Sequence, residues 1–346
     1  MDVSVRPFAL DLARPLETAA GSIETREGFL VRIEDDGEAG AGEATPLPGW
    51  TESLADCRVA LERAASALDS ASADAALDEL DSTPAARHGV SGAIADLEAR
   101  RAGVPLYRHL GADSRVESVP VNATVGDCAA DETAERAEEA IAAGFDCLKV
   151  KVGVREVAED ADRLAAVREA VGPDVGLRAD ANGAWNREQA RAAFEVFADP
   201  GVAYVEQPLD RSDIAGHAGL RGGSVGVALD ETLSETSAAS VLAADAADVF
   251  VLKPMAVGGL DRAREVATRA REAGVAAVVT TTIDAVVART GAVHLAASLP
   301  DVPACGLATA GLLADDLASD PAPVDGGRVK VPQDAGLGVE GAWEEP

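Results

Sequence analysis

CLKVKVGVREVAEDADRLAAVREAVGPDVGLRADAN, residues 147–182, reads as a strand, a helix and a second strand with charged residues at the strand ends. The runs CLKVKV and VGLRADA have strand length, and EDADRLAAVREAVG between them carries apolar residues at helical spacing. The same βα rhythm continues on both sides. VPVNATV precedes it, and VAYVEQ, VGVALD, VFVLKP, AAVVTTT and a weaker PACGLA come after, with helical segments such as DETAERAEEAIAAG and LDRAREVATRAREAG between. Seven or eight such units in about 190 residues close a parallel barrel more readily than they extend an open sheet. No GxGxxG follows the first strand, which counts against a dinucleotide-binding fold.

Upstream the rhythm differs. VSVRPFALDL, GFLVRIEDD and GEATP read as strands, with a GEAGAG turn, and residues 52–110 read as helical. This block predicts an α+β domain over residues 1–115, set beside a barrel over 116–311. The turn-rich tail, 312–346, is expected to pack back on the first domain.

The chain has 346 residues, 60 acidic against 30 basic, for a formal net charge of −30. Such a surface repels phosphate backbones and anionic membranes, so neither nucleic acid nor a bilayer is an expected partner. Only Lys149, Lys151, Lys253 and Lys330 are lysines. An acidic, lysine-poor surface points to adaptation to high salt, where screening makes the charge tolerable. The N-terminus does not read as a signal peptide and no apolar run is long enough to span a bilayer. Cys57, Cys128, Cys147 and Cys305 form no CxxC pair, so reduced thiols and a cytoplasmic location are expected. His88, His109, His217 and His294 are scattered away from strand ends and read as structural, and Trp185 reads as packing.

In a barrel of this type the active site lies at the C-terminal ends of the strands. The second strand ends in Lys149-Val150-Lys151, the third at Asp180 and Asn182, the fourth at Glu206, the fifth at Asp230-Glu231 and the sixth at Lys253. From Lys151 the steps are 29, 26, 24 and 23 residues, each about one βα unit. A single Asp at a strand end is ordinarily a helix cap, but five consecutive strands ending in charge are not explained that way. Alternation turns Lys149 and Lys151 inward and Val150 toward the helices. Arg178 points inward with Asp180, where a salt bridge inside the barrel is expected. Three carboxylates from adjacent strands make a hard oxygen site for Mg²⁺ or Mn²⁺, which can hold a substrate carboxylate as its α-proton leaves. A lysine acts as base only if its pKa is lowered. Lys149 beside Lys151, with a nearby dication, favours the neutral amine. Lys253 faces them as a second acid/base or a fixed cation.

These stretches resemble the enolase superfamily, in its muconate-lactonizing-enzyme branch: KVK at 149–151, RADANGAW at 178–185, VEQP at 205–208, ALDET at 228–232 and LKP at 252–254. The resemblance implies a (β/α)7β TIM-like barrel under an α+β capping domain. It implies that Asp180, Glu206 and Asp230 hold the metal, that Lys151 is the general base with Lys149 beside it, and that Lys253 stands across the site. Asn182 and Glu231 then support the metal ligands. Barrels of this family often pair, so the resemblance leaves a homo-oligomer open.

Within the branch, GEATPLPGWTES at 42–53, KPMAVGG at 253–259 and GLATAGLLADDLA at 306–318 look most like o-succinylbenzoate synthase. Pro48, Gly49, Trp50 and Thr51 then belong to a cap loop that closes over substrate, with Thr51 or Ser53 also capping the helix that follows. Dipeptide epimerases typically carry an Asp-x-Asp pair at the end of the eighth strand, and GLATAG stands in that place here. The implied reaction is dehydration of a hydroxylated succinyl-cyclohexadiene carboxylate to o-succinylbenzoate in menaquinone biosynthesis, through α-proton abstraction and an enediolate. Lys253 is then expected over the forming ring as a cation–π partner. The alternatives are an N-acylamino-acid racemase or dipeptide epimerase, a muconate-type cycloisomerase, and a degenerate barrel that only binds a small acid.

Overall fold

The computed structural model describes residues 1–18, 21–68 and 72–344; the expected cap and tail also include residues 19, 20, 69–71, 345 and 346, which lie outside the described residues. Strands Asp2–Thr18, Gly21–Asp35 and Glu38–Ala44 form an antiparallel meander. One face of it buries Phe29, Val31, Ile33 and Ala44 against Cys57, Leu61 and Ala64 of helix Leu54–Leu68 and Val90, Ala93 and Leu97 of helix Pro84–Arg101. The third strand lies directly on the backbone of the second of these helices. A Cβ on Gly42 would stand 1.9 Å from the Gly89 carbonyl oxygen, so only glycine allows that approach.

Seven parallel strands come next in sequence order: Ala123–Val125, Cys147–Lys151, Gly176–Asp180, Val202–Glu206, Gly226–Leu229, Val249–Leu252 and Ala276–Val279. Parallel bridges from Cys305 to Val121 and from Gly306 to Thr280 supply the eighth strand and close the ring. The architecture is a (β/α)7β barrel with a capping domain, as expected. Val150, Ala179, Val205, Leu229, Leu252 and Val279 face the helices in one core, while Tyr204, Ala228, Val249, Val251 and Val278 fill the barrel interior. This two-sided burial is the reason the strands read as nearly continuous apolar runs.

VPVNATV is not one strand. Ser118–Pro120 pairs antiparallel with Arg328–Lys330 of the tail, and only Ala123–Val125 enters the barrel. The chain changes partners between them, with the Val121 N–H on Gly327 and the Asn122 N–H on Cys305. The tail reaches the cap as well: the Leu337 N–H donates to Asp96, and the Arg6 guanidinium lies 5.5 Å from the Trp343 ring centre. All four cysteines are buried and free. Among the described residues no helix is long and apolar enough to cross a membrane.

Candidate active site

Alternation along Cys147–Lys151 places Val150 in the outer core and aims both flanking lysines into the barrel mouth. The Lys149 ammonium donates to Asp180 at 2.9 Å and to both oxygens of Glu206 at 2.9 and 3.1 Å. Lys151 donates to the same Asp180 oxygen at 2.6 Å and to the Asn182 side-chain oxygen at 2.8 Å. Asn182, at φ 44°, turns its amide to Glu231 at 3.0 Å. On the facing side Lys253 pairs with Asp230. The eight polar groups expected at five strand ends therefore gather into one array of two bonded sets: Lys149, Lys151, Asp180, Asn182, Glu206 and Glu231 share a network, and Lys253 pairs with Asp230 on the other side.

Burial opposes charge on Lys149, but Asp180 and Glu206 outweigh it and raise its pKa well above the ordinary lysine value. Lys149 is thus a fixed cation beside Lys151, gripped by two carboxylates. Burial also works to raise Asp180, yet Lys149 and Lys151 overcome it and hold that carboxyl well below the usual range. Glu206 moves the other way, raised by burial first and then by the negative charge of Asp180. Glu231 is raised by burial and then by Asp230.

Among the described residues no three His, Cys, Asp or Glu side chains converge as a preformed metal cage. The lysines explain this: one ammonium spans Asp180 and Glu206 and another takes Asp230. The donor set nevertheless fits a hard cation. Asp230 Oδ1 and Glu231 Oε2 are buried without a hydrogen-bond donor, and Asp180, Glu206 and Asp230 press negative charge on one another. Buried orphan carboxylate oxygens of this kind are satisfied by an ion such as Mg²⁺.

The cap closes the array from above. Leu47 to Thr51 form a tight turn, with the Trp50 and Thr51 N–H groups on the Leu47 carbonyl and Gly49 at φ 88°. Thr51 Oγ1 accepts from the Leu47 N–H at 2.8 Å, so it braces this turn, whereas Ser53 caps the helix through the Asp56 N–H. Pro48 bridges to Thr51, and the Gly49 carbonyl accepts from Arg211 of the barrel. The turn aims Trp50 at the site, with its ring centre 3.5 Å from the Lys253 nitrogen.

Arg178 does not make the expected salt bridge. It donates to the Ala304 carbonyl at 2.6 Å and lies 5.0 Å from the Tyr204 ring centre, because Asp180 is already taken by the lysines. Two supporting residues escape a sequence reading. Gln207, at φ 42°, accepts from the N–H groups of Asp230 and Thr232 and so ties the fourth strand's end to the fifth; the VEQP motif was the available signal. Arg163, buried on the helix after Lys151, donates to the Lys151 carbonyl at 2.9 Å, and nothing in its spacing marks it.

A family model described as "Enolase C-terminal domain-like" matches residues 132–345, and one described as "MenC, N-terminal domain" matches residues 7–97. The chain is 30% identical to the L-Ala-D/L-Glu epimerase of Bacillus subtilis, over 97% of this chain and 95% of that one. It is 29% identical to the chloromuconate cycloisomerase CbnB of Cupriavidus necator, over 94% and 92%. The dipeptide epimerase of Enterococcus faecalis, solved with Mg and the dipeptide L-Leu-L-Tyr, superimposes with a TM-score of 0.88 at 28% identity, covering 98% of both chains.

Proposed function

The chain belongs to the enolase superfamily, its barrel matching that family across residues 132–345, and on that premise we propose that it is a Mg²⁺-dependent hydro-lyase of the o-succinylbenzoate synthase type. In this reading Asp180, Glu206 and Asp230 hold the ion, with Mn²⁺ as a substitute, and Asn182 and Glu231 orient them. Bound there, the ion supplies positive charge for a substrate carboxylate and for the second negative charge that grows as the α-proton leaves. Lys151 takes that proton. The β-hydroxyl departs with a proton returned from Lys151, as water, and the electron pair left behind completes an aromatic ring. Aromatisation makes the step downhill, so the protein needs chiefly to position the substrate and stabilise the enediolate. Lys253 stays charged on the far side, held by Asp230 and covered by Trp50. Trp50 is an aromatic partner this lysine already has, beside the forming ring proposed to pass near it.

The observation that carries the choice of substrate is at the eighth strand. After Cys305 and Gly306 come Leu307 to Gly311 without a carboxylate; the first acids are Asp315, which is exposed, and Asp316, which is bound by Arg289 at 2.8 Å and by the Val286 N–H. Among the described residues the eighth strand's end itself carries no carboxylate to hold a substrate ammonium group, which argues against a dipeptide. The match of the cap to the MenC model supports the same choice. A racemase or epimerase reading draws on a different observation, the two lysines on the two sides of the array, and on the epimerases among the relatives.

The test is to incubate the protein with Mg²⁺ in concentrated KCl and the hydroxylated cyclohexadiene, with an EDTA control. EDTA-sensitive conversion to o-succinylbenzoate supports the proposal, and Lys151→Ala should lower it by about 10²–10⁴-fold. Full activity in Lys151→Ala would overturn the base assignment. Deuterium wash-in at the α-carbon of N-acyl amino acids, without dehydration, would move the reading to a racemase.

A further inference from the structure

Lys151 and Lys253 are anchored to different parts of the molecule. Lys151 is held within the barrel, its carbonyl by Arg163 and its ammonium by Asp180 and Asn182. Lys253 stands at the N-terminus of the single helical turn Pro254–Val257, and that turn is fastened to the cap. Met255, two residues on, is fully buried in the cap core with Phe29, Val31, Ala44 and Val90, and its sulfur receives the Thr45 N–H at 3.5 Å. The turn then ends in Gly258 at φ 89° and Gly259 at φ 143°. There Arg87 of the cap helix Pro84–Arg101 donates to the Gly258 carbonyl at 2.6 Å and forks onto both oxygens of Asp261 at 3.0 and 2.8 Å. A Cβ on Gly259 would come within 2.5 Å of Ser91 Oγ and 2.9 Å of the Arg87 guanidinium, so the two glycines make room for this clasp.

We propose that Arg87 is a positioning residue for Lys253: by clamping Gly258 and Asp261 from the cap, it fixes the segment that places the Lys253 ammonium under Trp50 and against Asp230. A bidentate arginine fork restricts orientation as well as distance, which a single charge contact does not. Arg87 itself touches neither lysine nor the carboxylate array. Its loss should therefore move Lys253 while leaving Lys149 and Lys151 where the barrel holds them. The motif KPMAVGG has its explanation in this arrangement: a lysine, a methionine that plugs the cap, and two glycines shaped to receive an arginine from 171 residues earlier in the chain.

With only four lysines, selective ¹³Cε-lysine labelling gives four cross-peaks, and the Lys253 peak is identified by its loss in Lys253→Arg. Ring current from Trp50 should hold that peak upfield of exposed Lys330. In Arg87→Met we expect the Lys253 peak to move toward the Lys330 position while the Lys149 and Lys151 peaks stay fixed. An unmoved Lys253 peak in folded Arg87→Met overturns the proposal, as does equal movement of all three barrel-mouth lysines. Should Arg87→Met fail to fold, Asp261→Asn, at a half-exposed side chain, weakens the fork and must shift the same peak in the same direction by a smaller amount. The inference rests on Lys253 working in the proposed active site, but the peaks need no substrate. A dehydration assay can therefore fail while the clasp stands, and the reverse.

Discussion

The Lys253 ammonium lies 3.5 Å from the centre of the Trp50 ring, so a residue of the cap covers a residue of the barrel's catalytic face. The contact joins the two parts of the molecule at the point where chemistry is proposed. The ring stabilises charge on Lys253. A cation over an aromatic face is worth about 0.5–2 kcal/mol, or roughly 2- to 30-fold in rate if the contact is used in the transition state. Trp50→Ala should lower kcat by a factor in that range, and Trp50→Phe should keep part of the loss from appearing. Equal kcat in wild type and both variants, with only KM changed, would reduce Trp50 to a lining residue.

The orphaned Asp230 Oδ1 makes a prediction about metal. Mg²⁺ that binds the folded protein alone stabilises it by about 2.7 kcal/mol at one hundred times its dissociation constant. In calorimetry or thermal fluorescence, Mg²⁺ should raise Tm by a few degrees and EDTA should reverse it. Asp230→Asn should abolish the response while removing the partner of Lys253. A Mg²⁺ response of the same size in Asp230→Asn would exclude Asp230 as a ligand.

Much of this site is legible in the sequence because strand ends are spaced by the length of a βα unit. Once Lys149, Asp180, Glu206, Asp230 and Lys253 fall on five consecutive strands, the barrel must bring them to one rim. Contacts that cross between the cap and the barrel carry no such periodicity. Arg87 is one basic residue of a helix, and its partners Gly258 and Asp261 lie far along the chain. The side chain of Glu43 likewise caps the helix Val286–Ser298 by accepting from the Ala285 and Ala288 N–H groups. Only packing of the cap on the barrel creates these bonds. Arg178 shows a different limit, since alternation gave its direction correctly but not the competition from Lys149 and Lys151 that left it a carbonyl and a ring.

The net charge of −30 predicts dependence on salt. Repulsion among surface carboxylates destabilises the compact state, and raising ionic strength shortens the Debye length from about 10 Å at 0.1 M to about 3 Å at 1 M. Tm should therefore climb through the molar range of KCl. A Tm that is flat between 0.1 and 2 M KCl would remove the case for adaptation to high salt.

The stability of the fold should also report on His294. This imidazole is completely buried: its Nδ1 accepts from the Tyr107 N–H at 3.1 Å, and its Nε2 lies 3.0 Å from the Leu337 carbonyl, to which it donates. Both nitrogens are thus satisfied in the neutral ring, and protonation of Nδ1 would set two N–H groups against each other. Burial lowers the pKa to about 4, with the bond to Leu337 only partly offsetting it. In the unfolded chain an ordinary histidine titrates near 6.5, so between about pH 6.5 and 4 the unfolded state binds the extra proton. The contribution of His294 to stability is full above that window and is lost as pH falls through it, amounting to about 2 kcal/mol between pH 7 and pH 5. His294→Gln keeps a donor for Leu337 but cannot titrate. Denaturant unfolding in concentrated KCl at pH 7 and pH 5 should show wild type losing about 2 kcal/mol more than the variant. The surface carboxylates are common to both proteins and cancel in that difference. Identical losses in the two proteins would mean that His294 accepts its proton without unfolding the seam between Tyr107 and Leu337.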